Sequence, residues 1–152
     1  MPRSIRSATS HAPTVVIVDA DRRIQGSLSD LLAITGDVRV VGCAGDVRGA
    51  LEEVERVRPD AVLVDPRLPD VEAGMALVGG LRRAWPRMRI VLTGWGDVTG
   101  HAVGPDAECC YVSKNASPEA FAAAIVDACE PRVPVATAPS PRESRPAPAG
   151  SA

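Results

Sequence analysis

Residues 15–18, 61–64 and 89–92 read VVIV, AVLV and RIVL. None alternates apolar with polar positions, as a strand with one wet face would. Apolar, largely β-branched runs without alternation suit strands covered on both faces, which is the condition of a parallel sheet with helices on either side. Two further runs, Val38–Gly42 and Cys109–Val112, bring the predicted strands (Val15–Val18, Ala61–Val64 and Arg89–Leu92 being the first three) to five.

Between these runs the apolar spacing changes to three and four. Ile24, Leu28, Leu31 and Leu32 share a helix face that Gly36 ends. Val47, Leu51, Val54 and Val57 share a second, and Pro59 disfavours helical backbone at Arg58. Met75, Val78, Leu81 and Trp85 form a third, closed by Pro86. The last helix has Ser117 as N-cap, Pro118 at its first position and Glu119 in its first turn, with Phe121, Ile125 and Cys129 facing inward. The segment GWGDVTGHAVGPDAE holds four glycines and a proline. At up to ~1 kcal/mol per interior glycine, the predicted fourth helix there is short, frayed or partly absent. Strands alternating with helices predict an α/β fold with right-handed crossovers.

The ends differ from the middle. Residues 1–13 show no periodicity, and residues 131–152 are rich in Pro, Ala and Ser, so both are expected to be disordered tails around one domain at residues 14–130. With 17 basic and 19 acidic residues the net charge is −2, and the arginines are scattered, so there is no electrostatic reason to expect nucleic-acid binding. No run approaches ~18 apolar residues and no apolar leader follows the first arginines, so a cytoplasmic protein without membrane contact is expected. Cys43, Cys109, Cys110 and Cys129 form no C-x-x-C pair, and His11 and His101 are far apart in sequence, so a zinc site is not expected.

In such a sheet the functional crevice lies beyond the carboxyl ends of the strands. Four polar residues end strands there: Asp19 in VVIVDAD, Asp65 in DAVLVDPRLPD, Thr93 in RIVLTGWG and Lys114 in YVSKNASPEAF. Singly, each has an ordinary role: a strand-end Asp caps a turn, a Thr satisfies loop backbone and a Lys is solvated. Together at one edge they suit phosphoryl transfer to a carboxylate. Asp65 would be the nucleophile. Asp19 would help hold Mg²⁺, a hard cation that takes oxygen ligands. The ammonium of Lys114 and the metal would neutralise the phosphoryl oxygens, and the Thr93 hydroxyl would donate to one of them.

This constellation resembles the receiver domain of two-component response regulators, over about residues 14–130. The likeness rests on VVIVDAD, on DPRLP with Pro69 four residues after the acid, on VLTG and on YVSKNASPEAF. It implies a flavodoxin-like, doubly wound, five-stranded parallel sheet flanked by five helices, here with helix four degenerate. It implies that Asp65 accepts a phosphoryl group from a sensor histidine kinase or phosphotransfer protein. Asp19 and Asp65 would bind Mg²⁺, Lys114 would contact the phosphoryl group, and Thr93 and Tyr111 would be the switch pair. Such a bacterial signalling domain is not an enzyme beyond weak autodephosphorylation. The Ser117–Pro118–Glu119 sequence resembles receivers that precede helix-turn-helix domains, but only the Pro-rich tail follows here. A single-domain regulator without direct DNA binding is therefore expected. Its output would pass to a downstream protein, or to a second copy, through the face of helix four, strand five and the last helix.

Three features depart from that family. Receivers usually place two adjacent acids after strand one, the second a direct Mg²⁺ ligand; here Ala20 stands in its place, with Asp21 as a candidate substitute. Losing one of three carboxylates should weaken Mg²⁺ on the order of tenfold, about 1.4 kcal/mol. Ala73 stands where the family usually has glycine, with Gly74 following, and the glycine-rich fourth helix is the third departure, whereas Asn115 in place of the common proline after the lysine is a variation well within the family. Two rivals remain open. A pseudo-receiver would keep the fold solely as a protein-interaction module, which Ala20 and the glycine-rich fourth helix favour. A haloacid dehalogenase-like phosphatase would use Asp19 as nucleophile and Asp21 as general acid, but it needs a later acidic pair near a further strand, and after the lysine the domain holds one helix, with Asp127 and Glu130 near its end.

Overall fold

The computed structural model describes residues 11–96 and 110–130. Within them the chain runs β1 (Thr14–Val18), α1 (Arg22–Thr35), β2 (Arg39–Ala44), α2 (Val47–Val57), β3 (Ala61–Val64), α3 (Val71–Ala84), β4 (Arg89–Gly94), β5 (Cys110–Ser113) and α4 (Pro118–Cys129). The strands form one parallel sheet in the order β2-β1-β3-β4-β5. This is the doubly wound flavodoxin-like order, whose strand sequence switches direction beside β1 and β3. Four helices flank the sheet among the described residues. The glycine-rich segment predicted as a degenerate fourth helix lies almost wholly at 97–109, outside them, as do most of the first predicted tail, all of the second, and Cys109.

The non-alternating runs are the interior strands. All four residues of β3 are fully buried, as are Val15 to Val18 of β1. On one face Val16, Val18, Val62 and Leu92 meet Ala50 and Val54 of α2 and Leu77 and Leu81 of α3. On the other, Val15, Ile17 and Leu63 meet Leu28 and Leu32 of α1 and Phe121 and Ile125 of α4. The edge strand β2 behaves differently. It extends two residues past the predicted Gly42 to Ala44 and buries only that last residue. Its pairing with β1 shifts by one residue between Val15 and Val16. The face predicted for α2 is also rotated: Ala50 and Val54 are buried while Leu51 is exposed. An alanine packs closest to the sheet there, so the bulkier leucine is turned outward.

Each helix begins on a side chain that accepts a backbone N–H: Asp21 from Arg23, Asp46 from Gly49, Asp70 from Ala73 and Ser117 from Ala120. The predicted stops also hold. Gly36 ends α1 with φ 68°, and Arg58, ahead of Pro59, takes φ 45° at the end of α2. Gly74 is needed for proximity, since a Cβ there would overlap the Pro66 carbonyl. The glycine displaced by one position thus lets α3 seat against the loop after β3.

Candidate functional site

The ladder of the sheet delivers the site residues. Asp65 N–H donates to the Val18 carbonyl and Asp19 N–H to the Ala44 carbonyl, so both acids leave their strands still tied to a neighbour. Thr93 pairs with Val112, one residue beyond the Val64–Leu92 pair, and so stands at the level of Asp65. Lys114 N–H donates to the Gly94 carbonyl, which anchors the lysine just past β5. Gln25 of α1 ties the corner together, with Nε2 donating to the Asp19 carbonyl at 2.7 Å and to the Ala44 carbonyl at 3.2 Å.

Three of the four predicted residues converge on one ammonium. Lys114 Nζ lies 2.6 Å from Asp19 Oδ2 and 2.6 Å from Asp65 Oδ2. The side chains are nearly inaccessible, at 4% exposure for Lys114 and Asp19 and 11% for Asp65. The other carboxylate oxygens take backbone donors: Asp19 Oδ1 from Asp21 N–H at 2.9 Å and Asp65 Oδ1 from Arg67 N–H at 3.0 Å. Burial alone would lower the lysine, but its contacts with Asp19 and Asp65 outweigh that and hold the ammonium above the ordinary lysine range. Lys114 is therefore charged, and a buried ion pair of this kind is costly to break from either side.

Thr93 completes the crevice in a different way. It is buried, and its hydroxyl has no hydrogen-bond partner among the described residues. An unpartnered buried hydroxyl costs about 1–3 kcal/mol. A strand-end Thr that satisfied loop backbone would have no such deficit.

Asp21 and Tyr111 lie at the margins. The Asp21 carboxylate is exposed and engaged at the start of α1, where Oδ1 accepts from Arg23 N–H at 2.8 Å. Ala20 is exposed at the mouth. The Tyr111 hydroxyl donates to the Gly96 carbonyl at 2.8 Å, and the ring passes over Gly94, where a Cβ would come within 2.9 Å of that hydroxyl oxygen. Two residues of the site carried no recognisable signal in the sequence. Gln25 looked like any polar position on a helix. Trp95 looked like loop, yet its half-exposed ring faces Lys114, with Nζ 5.5 Å from the ring centroid.

Among the described residues no group of three or more His, Cys, Asp or Glu side chains could hold a metal ion. The two acids that converge already share an ammonium, so the residues present do not fit a divalent site.

The family model described as the response regulator receiver domain matches residues 15–126. A DNA-binding transcriptional activator DevR/DosR of Mycobacterium tuberculosis is 37% identical over 82 residues, covering 53% of this chain and 37% of that protein. A protein-glutamate methylesterase/protein-glutamine glutaminase of Nocardioides sp. is 35% identical over 78 residues, covering 51% of this chain and 21% of the relative. The chain thus matches only about a fifth to somewhat over a third of the length of these relatives. In fold it resembles a CheY-like receiver domain protein from Methanospirillum hungatei, with TM-score 0.64 and 21% identity over 78% of this chain and 94% of the other. It also resembles a LuxR-family DNA-binding response regulator from Staphylococcus aureus, with TM-score 0.66 and 18% identity over 78% and 99%.

Proposed function

The chain belongs to the response regulator receiver domain family, and from that premise we propose that Asp65 accepts a phosphoryl group from a histidine kinase or phosphotransfer protein. Receiver domains are generally signalling modules that meet kinases and downstream effectors. The observation that carries the reading for this chain is the buried hydroxyl of Thr93, which stands at the level of Asp65 and has no hydrogen-bond partner among the described residues. A phosphoryl oxygen on Asp65 would give that hydroxyl an acceptor, and transfer would relieve a polar deficit already present in the resting fold.

The roles follow from position. An Asp65 carboxylate oxygen attacks phosphorus, and the donor's leaving group departs with the electrons of the broken P–O or P–N bond. Lys114 sits within contact of Asp65 and neutralises charge on the transferred group. Asp19 holds the lysine on the other side and keeps it aimed. Movement of Thr93 toward the phosphoryl group would vacate space along β4, which Tyr111 on β5 is placed to feel, so the pair can serve as the switch. Receiver domains typically bind Mg²⁺ at the phosphorylation site. Here Asp19 and Asp65 already share an ammonium, Ala20 supplies no third acid and Asp21 caps α1.

Incubation with acetyl phosphate followed by intact-mass measurement tests the reading. One phosphoryl mass should be gained by the wild type and by none of the Asp65→Asn protein. An equal gain in Asp65→Asn contradicts it. A second reading, a receiver fold used only for protein contact, is favoured by the same Lys114 bridge, which closes the site in the resting state. It would show as a wild type that gains nothing.

A further inference from the structure

The Lys114 ammonium lies in a three-sided enclosure. Two carboxylate oxygens stand 2.6 Å away on either hand, and the Trp95 ring covers a third side at 5.5 Å. A cation bridging Asp19 and Asp65 would need the volume that Nζ fills. The outer oxygens are already partly engaged, because Asp19 Oδ1 and Asp65 Oδ1 each accept a backbone N–H, from Asp21 and Arg67.

Charge leads to the same result. Two carboxylates and one ammonium leave a net −1. Adding a divalent ion would make +1 in a nearly dry crevice, with two cations only a few ångströms apart. A third carboxylate at position 20 would bring that sum to zero, but Ala20 brings nothing, and the Asp21 side chain is drawn to Arg23 N–H.

We propose that the Lys114 ammonium is the resident cation of this site and excludes divalent metal, so that Asp19 and Asp65 work with the lysine where other receivers work with Mg²⁺. This cation assignment builds on the phosphoacceptor reading of the crevice, but its test involves no phosphoryl transfer, so either can fail alone.

Thermal melting of the full chain would be compared in EDTA and in millimolar Mg²⁺, Mn²⁺ or Ca²⁺ at matched ionic strength. A ligand that binds only the folded state raises the melting temperature in proportion to its occupancy. The wild type should shift by less than about 1 °C, whereas Lys114→Ala, with the enclosure vacated, should gain several degrees. Should Lys114→Ala fail to fold, Lys114→Ser replaces it, and the same saturable gain is expected, its absence counting equally against the assignment. A second readout uses Trp85→Phe protein, whose remaining described indole is Trp95: its emission should not change when Mg²⁺ is added. A saturable stabilisation of the wild type by Mg²⁺, or a saturable change in Trp95 emission, overturns the assignment. So does a folded Lys114→Ala protein that no divalent ion stabilises.

Discussion

Asp65, Lys114 and Asp19 form a chain of contacts in which no member can be removed quietly. Removing one partner of a buried pair typically costs about 3–5 kcal/mol, because the remaining charge is left uncompensated. Lys114→Met should therefore lower the unfolding free energy by an amount of that order, measured by urea denaturation. Thr93 should behave in the opposite sense. Thr93→Val keeps the shape and deletes a hydroxyl that has no partner among the described residues, so it should leave stability unchanged or raise it by about 1 kcal/mol, while weakening retention of the phosphoryl group. A marked loss of stability in Thr93→Val would mean that the hydroxyl has a partner in the resting protein. The cysteines also divide by environment. Burial pushes the Cys129 thiol up to about 11, with Asp60 adding to the shift and Arg89 opposing it. The thiolate is the reactive form. Cys43 is exposed, so limited iodoacetamide treatment followed by peptide mass analysis should label Cys43 well before Cys129.

At the scale of elements, β4 and β5 are joined by a close approach of the Tyr111 ring to Gly94. Gly94→Ala would place a methyl group against the Tyr111 hydroxyl and force the ring off the Gly96 carbonyl. The loss should be about 1 kcal/mol, the net worth of one hydrogen bond, and should appear in urea melts. Gly74→Ala should be far more damaging, because the methyl would meet backbone that cannot yield. Failure to unfold cooperatively is the expected result, and a near-normal melt would contradict the packing of α3 on the loop after β3. The start of α4 is gentler ground. Ser117→Ala removes one cap and should cost about 1 kcal/mol. Elements were the most legible level of the sequence. Interior strands announced themselves by unbroken apolar runs, and Gly36, Pro59, Pro86 and Ser117 marked the ends of helices. The edge strand β2 was less legible, since partial exposure removes the pressure for a continuous apolar run. So was the inner face of α2, where a small residue, Ala50, took the place the spacing pointed to for Leu51.

For the whole molecule, the fold and the place of the candidate site were read from one regularity: polar residues at the carboxyl ends of parallel strands. That regularity brought Asp19, Asp65, Thr93 and Lys114 to one edge of the sheet, because parallel strands end on the same side. It did not reveal how the side chains would share charge. Asp21 was an attractive stand-in for the missing acid at position 20, but one residue of offset turned it toward the first turn of α1. The bridging position of Lys114, the cover supplied by Trp95 and the tie made by Gln25 depend on side-chain direction, which spacing along the chain does not encode. The same architecture sets an expectation for the domain. Both apolar clusters lie within residues 14–130. A chain of residues 11–131 should melt cooperatively within a few degrees of the full sequence, and loss of a cooperative transition would place part of the core outside that span.

The proposed role of Asp65 as phosphoryl acceptor can be read directly at the residue itself. Borohydride reduction converts an aspartyl phosphate to homoserine, a permanent mark that peptide mass analysis assigns to one position. After treatment with a phosphoryl donor, homoserine is predicted at position 65 and at no other aspartate. Homoserine at Asp19 or Asp21, or a protein that carries phosphoryl mass with position 65 unmarked, would contradict the account.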